Sequence, residues 1–244
     1  MKHPLRTLLL AVCCGLAAAC TQRQERLKLM SYNIRNGIGI DNIQDIGRIA
    51  RVILREAPDL VALQELDSAT LRVDGRYIPG ELGRMTGMHA TFGRAIGFAG
   101  GSYGIGLLSR TEPLAVRSIP LPGREEARVL LMAEFPDYTV CITHLSLTPE
   151  DQLASLPIIR EATDTCRKPV LLAGDFNTGN AAAVLAGLGG GFRILSDTTR
   201  MTFPSDNPAV RIDYILGRGL PTSATVGEGG VGHTAGGGAR LETG

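Results

Sequence analysis

The sequence predicts a single α/β domain with two β-rich halves, each covered by helices. With 244 residues, of which 44% are hydrophobic, the chain can bury one sizeable core. Apolar runs of strand length stand before and after stretches with helical periodicity in both halves. Several short strands separated by turn residues lie between them. These observations together favour two groups of strands in one domain.

The first half begins with a strand–helix–strand unit. Residues 27–34 predict a strand, and Asp41 is the predicted N-cap of a helix that ends before Pro58. The apolar face of this helix comprises Ile43, Ile46, Ile49, Ile53 and Leu54. Residues 60–63 predict a short buried strand that ends at Gln64-Glu65. Such a unit favours parallel pairing of its two strands.

The middle and the second half continue with shorter elements. A helix is predicted over 76–88, followed by an antiparallel meander of strands at 89–95, 103–109, 113–119, 128–135 and 138–144. A second helix is predicted over 149–166, with Leu153, Leu156, Ile159 and Ala162 along one face. A strand at 169–173, a small helix at 179–188 and a late strand at 212–216 complete the domain.

The N-terminus has the organisation of an export signal. Lys2 and Arg6 precede an apolar run, and Ala17 to Ala19 supply the small residues that cleavage requires. Cys20 follows directly, which favours a lipoprotein signal with a lipid on Cys20 over plain secretion. We therefore expect residues 1–19 to be a signal peptide, residues 20–26 a linker, and the protein to be exported to the cell envelope, periplasm or medium.

The C-terminal end has a different composition. Glycine dominates residues 227–238, and no alternating apolar pattern follows. Because glycine loses much conformational entropy on ordering, residues 227–244 are expected to be a flexible tail without a strand. The folded domain is accordingly expected to span residues 27–226.

Composition limits the partners. Aromatic residues make up 5% of the chain and tryptophan is absent. The net charge of +1 falls to −1 when Lys2 and Arg6 leave with the signal peptide. A nucleic-acid partner is therefore not favoured, since such proteins usually carry a basic surface. Cys141 and Cys166, the cysteines of the expected domain, allow one disulfide, although Cys141 lies in an apolar strand where cysteine often serves as a small hydrophobe. A monomer is expected.

Polar side chains occupy the ends of the predicted strands. The acid and amide residues at these positions are Asn33, Glu65, Asp175, Asn177 and Asp213, and His144 ends a further strand. Groups at strand ends converge at one edge of a sheet. Carboxylate and amide oxygens are the ligands that Mg²⁺ prefers. A nearby protonated imidazole can bind phosphate and stabilise charge in a transition state.

Six blocks in order carry a family resemblance. They are residues 30–37 (MSYNIRNG), 64–65 (QE), 103–110 (YGIGLLSR), 143–145 (THL), 174–177 (GDFN) and 211–216 (RIDYIL). The series resembles the endonuclease/exonuclease/phosphatase superfamily, which includes deoxyribonucleases, sphingomyelinases and inositol-polyphosphate 5-phosphatases. The resemblance implies a four-layer α/β sandwich of two packed mixed sheets flanked by helices. It also implies a metal-dependent hydrolase acting on a phosphoester.

The resemblance implies a role for each residue. Glu65 would be the principal ligand of Mg²⁺ or Mn²⁺, with Asn33 helping to hold metal or phosphate. Asp175 and Asn177 would position the attacking water and a phosphate oxygen. His144 would bind phosphate or protonate the leaving group. Asp213 would orient a C-terminal histidine that acts as general base.

Two arginines and the C-terminal histidine remain secondary candidates. Arg35 follows Asn33 closely and could reach a phosphate, and Arg128 opens the strand before His144; a surface ion pair is the alternative for each. His233 is the only candidate for the base, and Gly232 stands where the family carries an acid. Because the acid of the family is missing at Gly232, two alternative functions stay open besides that of a phosphodiesterase or phosphatase. They are a secreted nuclease and a catalytically impaired domain that binds a phosphorylated ligand.

Overall fold

The residues that the structure describes form two β-sheets and four α-helices. The structure is a computed structural model that describes residues 26–220, 225–229 and 238–242. The elements of the first half are β1 (Arg26–Asn33), α1 (Ile46–Glu56), β2 (Leu60–Ser68), α2 (Ile78–Thr86), β3 (His89–Phe98) and β4 (Gly101–Ser109). Those that follow are β5 (Ala115–Leu121), β6 (Arg128–Glu134), β7 (Thr139–His144), α3 (Pro149–Asp164), β8 (Val170–Asp175), α4 (Ala181–Leu188), β9 (Arg193–Ile194), β10 (Asp213–Arg218), β11 (Thr225–Gly229) and β12 (Gly238–Glu242).

Each sheet has six strands and one parallel pair. The first sheet has the order β11-β12-β1-β2-β4-β3 and the second the order β5-β6-β7-β8-β10-β9. β1 pairs with β2 in parallel, as predicted, and β7 pairs with β8 in parallel. The predicted antiparallel meander is divided between the sheets, because β3 and β4 join the first and β5, β6 and β7 join the second.

Three hydrophobic clusters separate four layers. One lies between the sheets, one between the first sheet and α1 and α2, and one between the second sheet and α3 and α4. Because side chains alternate along a strand, Leu171 and Ala173 of β8 pack between the sheets while Val170 and Leu172 pack toward the helices. Burial on both faces explains the unbroken apolar runs. The four-layer α/β sandwich is confirmed.

Two details of the helices differ from the prediction. The N-cap of α1 is Asp45, whose carboxylate accepts a 3.0 Å hydrogen bond from the backbone N–H of Arg48. Asp41 instead accepts from the N–H of Ile43 in the preceding loop, so Ile43 lies outside the helix and is exposed. In α3, Leu153 is exposed. The buried face of α3 contains Gln152, Ser155, Leu156, Ile159, Ala162 and Thr163.

The C-terminal segment forms strands where none was predicted. β12 pairs antiparallel with β1, and β11 pairs antiparallel with β12. The expectation that residues 227–244 contain no strand is therefore wrong. The ladder needs only backbone N–H and C=O groups, which glycine supplies as well as any residue. His233, the leader and Cys20 lie outside the described residues.

The cysteines and helices add two findings. Cys141 is fully buried in the cluster between the second sheet and its helices, and it and Cys166 are free thiols. Among the described residues, no helix combines the length and the apolar character needed to cross a membrane.

Candidate active site

Strand periodicity directs the predicted polar side chains into one space. In β8, Ala173 packs between the sheets, so Asp175 two residues later points into the same space at its open end. The same spacing from Ile142 directs His144 there, and that from Ile215 directs Asp213. Asn33 stands four residues after Leu29 in β1 and follows the same rule. Four strand ends from two sheets therefore meet at one place.

Glu65 reaches this place through a β-bulge. The register between β2 and β4 shifts between Leu63 and Leu66, and Glu65 has a φ of 57°. Leu63 and Leu66 both pack toward α1 and α2, although they are three positions apart in the strand. The bulge therefore turns Glu65 toward the space between the sheets. A left-handed backbone at a non-glycine residue is strained, and bulges commonly redirect a functional side chain.

Asn33 connects the two sheets at the site. Its Nδ2 donates hydrogen bonds to Glu65 Oε1 at 2.9 Å and to Asp175 Oδ2 at 3.2 Å. Its Oδ1 accepts a 3.0 Å hydrogen bond from the backbone N–H of Arg35. One amide nitrogen thus holds carboxylates that are far apart in the sequence. Because Nδ2, rather than Oδ1, faces the two carboxylates, Asn33 orients Glu65 and Asp175 in this structure.

His144 lies beside Asp175 and is buried. Its Nε2 is 3.8 Å from Asp175 Oδ2, and the two residues are register partners of the parallel pair β7–β8. Burial, followed by the positive charge of Arg128, lowers the pKa of His144 to about 4. The imidazole is therefore neutral near pH 7 in the free protein. The expectation of a protonated imidazole would require the added negative charge of a phosphate.

Asp175 and Asp213 form a buried pair of carboxyl groups. They are directly opposite each other in the antiparallel pair β8–β10. Burial raises the pKa of Asp175 to about 6. Burial, followed by the charge of Asp175, raises the pKa of Asp213 well above its usual value. Asp213 Oδ1 is buried and has no hydrogen-bond partner. The pair therefore retains a proton unless a positively charged group binds beside it.

Asn177 is held at the site by its neighbours. Its backbone N–H donates to Asp175 Oδ1 at 2.9 Å, and its Nδ2 donates to the carbonyl oxygen of Leu145 at 2.8 Å. Its φ is 52°, a left-handed backbone conformation that asparagine adopts more readily than most residues. These bonds connect the loop after β8 with the residue that follows His144.

Gln152 is a positioning residue that the sequence analysis missed. Its buried Nε2 donates to the carbonyl oxygens of Ser146 at 2.9 Å and of Asn177 at 3.0 Å. It therefore joins the loop after His144 to the loop that carries Asn177. The sequence offered one signal for its role: Gln152 stands four residues before Leu156 and so lies on the apolar face of α3, where a polar residue is unusual.

Replacing Gln152 by methionine is expected to preserve the fold and to lower kcat about tenfold, because two loop carbonyl groups lose their donor. Methionine has a similar length and no amide. The measurement is steady-state kinetics together with thermal unfolding. Gln152→Glu is a second test, since a carboxylate would repel both carbonyl oxygens and lower kcat further. Wild-type kcat in both variants would contradict the positioning role.

The two candidate arginines differ in their surroundings. Arg128 is buried, and it forms ion pairs with Glu126 at 2.9 Å and with Glu125 at 3.3 Å. Its Nε is buried without a partner, and its charge acts on His144 and Asp175. Arg128 thus lies at the site. The side chain of Arg35 is exposed, and its backbone N–H, rather than its guanidinium, contacts Asn33.

A tyrosine and an arginine beside Glu65 were also missed. Burial, followed by the charges of Glu65 and Glu126, raises the pKa of Tyr103, so its phenol stays protonated. Arg72 lies over the Tyr103 ring, with its Cζ 5.0 Å from the ring centroid, and its Nε donates to Asp67 at 2.8 Å. Tyr103 opens the motif block at residues 103–110, although no role was predicted for it, and Arg72 lies outside all six blocks.

Comparison with known proteins identifies the family. The profile of the Endonuclease/Exonuclease/phosphatase family matches residues 30–234, which is most of the chain. The chain belongs to this family. The family unites hydrolases of phosphate esters, and the six blocks that suggested it include Asn33, Glu65, His144, Asp175 and Asp213. No curated protein matches the chain in sequence.

Solved structures of the family share the fold. An endonuclease/exonuclease/phosphatase from Beutenbergia cavernae superposes with a TM-score of 0.74 at 23% identity, over 91% of this chain and 72% of that one. A mannosyl-6-phosphatase from Bacteroides thetaiotaomicron superposes with a TM-score of 0.64 at 16% identity, over 88% and 98%. A humanized TDP2 from D. rerio gives 0.65 at 19% identity, over 89% and 99%.

Proposed function

We propose that the protein is a divalent-metal-dependent hydrolase of phosphate esters. The observation that carries the proposal is the bridge formed by Asn33, whose amide nitrogen holds Glu65 and Asp175 together beside His144. Four strand ends and one strained bulge cooperate to build this cluster. Buried carboxyl groups with raised pKa values are frequent at functional sites.

The donor set fits a hard divalent cation. Glu65 and Asp175 are carboxylates, and a buried oxygen of Asp213 lacks a partner. Among the residues that the structure describes, no three His, Cys, Asp or Glu side chains form a complete metal site. Mg²⁺ commonly takes one or two carboxylates and completes its shell with water and substrate phosphate. When bound at Glu65, the cation would polarise a phosphoryl oxygen and neutralise developing charge.

The chain's own residues supply binding and orientation. His144 would donate a hydrogen bond to a phosphate oxygen, since a neutral imidazole carries one N–H. Asn177 would hold a second oxygen, and Asp175 would orient a water molecule for attack on phosphorus. Asp213, with its free oxygen, would accept the N–H of a histidine and set its tautomer. His233, the proposed base, is outside the described residues.

The proposed location is outside the cytoplasm. The leader of residues 1–19 and Cys20 support export and a lipid anchor at Cys20. The proposed substrate is a phosphoester other than nucleic acid, because the near-neutral net charge does not attract a polyanion. A monomeric enzyme is proposed.

Metal removal tests the proposal directly. The purified protein should hydrolyse an aryl phosphodiester such as bis-p-nitrophenyl phosphate when Mg²⁺ or Mn²⁺ is present. EDTA should abolish turnover, and an excess of either ion should restore it, because the cation supplies several kcal/mol of stabilisation. Released p-nitrophenolate is the readout.

Two variants separate this activity from a contaminant. Glu65→Ala and His144→Ala should both lose turnover while unfolding at temperatures close to that of the wild type. Equal rates in the wild type and both variants would show that the activity is not the protein's own. That result would favour the alternative of a domain that binds a phosphorylated ligand without cleaving it.

A further inference from the structure

A short β-hairpin, residues 200–211, borders the candidate active site. Phe203 pairs with Val210 in antiparallel fashion. Two bonds define this pair, from Phe203 N to Val210 O at 2.9 Å and from Val210 N to Phe203 O at 3.0 Å. The hairpin leads directly into Asp213, the first residue of β10. Its position beside Asp213 follows from chain connectivity.

One face of the hairpin attaches it to the site. Thr202 is buried, and its Oγ1 accepts hydrogen bonds from the backbone N–H groups of Ile212 at 3.1 Å and Asp213 at 3.2 Å. Arg211 is buried on the same face, and its guanidinium donates to the carbonyl oxygen of Arg200. The orientation of the hairpin is therefore set by contacts with the site strand.

The other face is apolar and exposed. Because side chains alternate along a strand, Met201 and Phe203 point away from Thr202, and Val210 shares their face as the cross-strand partner of Phe203. These side chains remain 44%, 50% and 37% exposed. A contiguous exposed apolar face usually marks an interaction surface.

This apolar face lies beside the loop that carries Asn177. Val210 Cγ2 is 2.9 Å from the position that a Cβ on Gly179 would take, and Gly179 follows Asn177 by two residues. Leu147, which is also exposed, stands three residues after His144 at the same end of the molecule. Polar groups at the centre with apolar side chains at the border are typical of sites for small amphiphilic ligands.

We propose that the face formed by Met201, Phe203 and Val210 binds the hydrocarbon part of the substrate, so that the substrate is a phosphoester with an apolar alcohol group. The inference rests on the proposed phosphoesterase activity. The polar cluster takes the phosphate, and the hairpin contacts the ester group that is not cleaved. The three side chains of the face are uncharged, and the arginines of the hairpin, Arg200 and Arg211, stand at its two ends.

A series of p-nitrophenyl alkyl phosphodiesters tests the proposal. Water attacks phosphorus, the P–O bond to p-nitrophenolate breaks, and the alkyl phosphate is released. With methyl, propyl and hexyl esters at concentrations where each is monomeric, wild-type kcat/KM should rise at least about tenfold from methyl to hexyl. A fully buried methylene contributes about fourfold, so partial burial of the chain suffices.

Variants locate the effect on the hairpin. Phe203→Ala and Met201→Ser should each lower the hexyl-to-methyl ratio of kcat/KM by about threefold or more. Leu114→Ala is the matched control. Leu114 is similarly exposed, but its N–H bonds Glu134 O at the opposite end of the second sheet, and its replacement should leave the ratio unchanged. A wild-type ratio near one, or a ratio that survives both hairpin variants, would overturn the proposal.

A binding measurement separates this proposal from the proposed function. Hexylphosphonate and methylphosphonate have no cleavable ester, and calorimetry with Mg²⁺ measures their affinity without turnover. Tighter binding of hexylphosphonate that Phe203→Ala removes would support the apolar subsite even if no ester were hydrolysed. Metal-dependent hydrolysis without any effect of chain length would leave the phosphoesterase standing and refute the subsite.

Discussion

Glu65→Gln is expected to lower kcat/KM by about 10³-fold at a limiting concentration of Mg²⁺. Glutamine keeps the oxygen that accepts from Asn33 Nδ2, so the bridge to Asp175 and the fold are retained. It removes the negative charge that attracts a cation, and loss of about 4 kcal/mol of metal-assisted stabilisation corresponds to this factor. Raising the Mg²⁺ concentration should recover part of the rate. Steady-state kinetics across a metal titration measures both effects.

The matched control is Glu134→Gln at the other end of the second sheet. Glu134 forms a 2.7 Å ion pair with Lys168 and is register partner to Thr139, the first residue of the strand that ends at His144. Its replacement removes the same charge far from the site, and kcat/KM should stay within about twofold of wild type. A Glu65→Gln enzyme with the metal dependence of the wild type would show that Glu65 is not the ligand.

Asp213→Asn is expected to stabilise the metal-free protein while lowering its activity. The buried pair Asp175–Asp213 has raised pKa values, and Asp213 Oδ1 has no partner. Asparagine removes the repulsion, which should raise the free energy of unfolding by about 1–3 kcal/mol at pH 8 in EDTA. Turnover should fall about 10²-fold or more, because a general base would lose the carboxylate that orients it.

The pH dependence of this gain has a definite sign. Burial raises the pKa of Asp213 well above its usual value, so its carboxyl group binds a proton more tightly in the folded state. The group therefore costs no stability below the unfolded pKa of about 4, and the penalty grows as the pH rises from there toward the folded pKa. The stability advantage of Asp213→Asn should grow between pH 4 and pH 7. An advantage independent of pH, or a loss of stability at pH 8, would contradict the buried pair.

The strands and their terminal polar residues were predictable because a strand that is buried on both faces has an unbroken run of apolar residues. Residues 170–173 form an unbroken apolar run, and the first polar side chain after it, Asp175, is a site residue. Convergence of Asn33, His144 and Asp175 then follows from two parallel strand pairs. The order of the six motif blocks predicted the family, and through it the four layers, which periodicity alone does not specify.

The remaining details depend on contacts that local sequence does not encode. Asp41 and Asp45 both suit an N-cap, and tertiary position selects Asp45. No glycine in the sequence marks the position of the bulge, because the residue with positive φ is Glu65 itself. β12 pairs with β1 through backbone groups, so side-chain patterning could not reveal it. Gln152 acts through two carbonyl groups from separate loops, which come together only in the fold.

The most direct test of the shared cation site is an anomalous diffraction map from crystals soaked in Mn²⁺. The account predicts a dominant peak in the space between the sheets, about 2–2.6 Å from a carboxylate oxygen of Glu65, on the side that faces Asp175. A saturating soak with no peak at Glu65, or with the strongest peak elsewhere on the molecule, would contradict it.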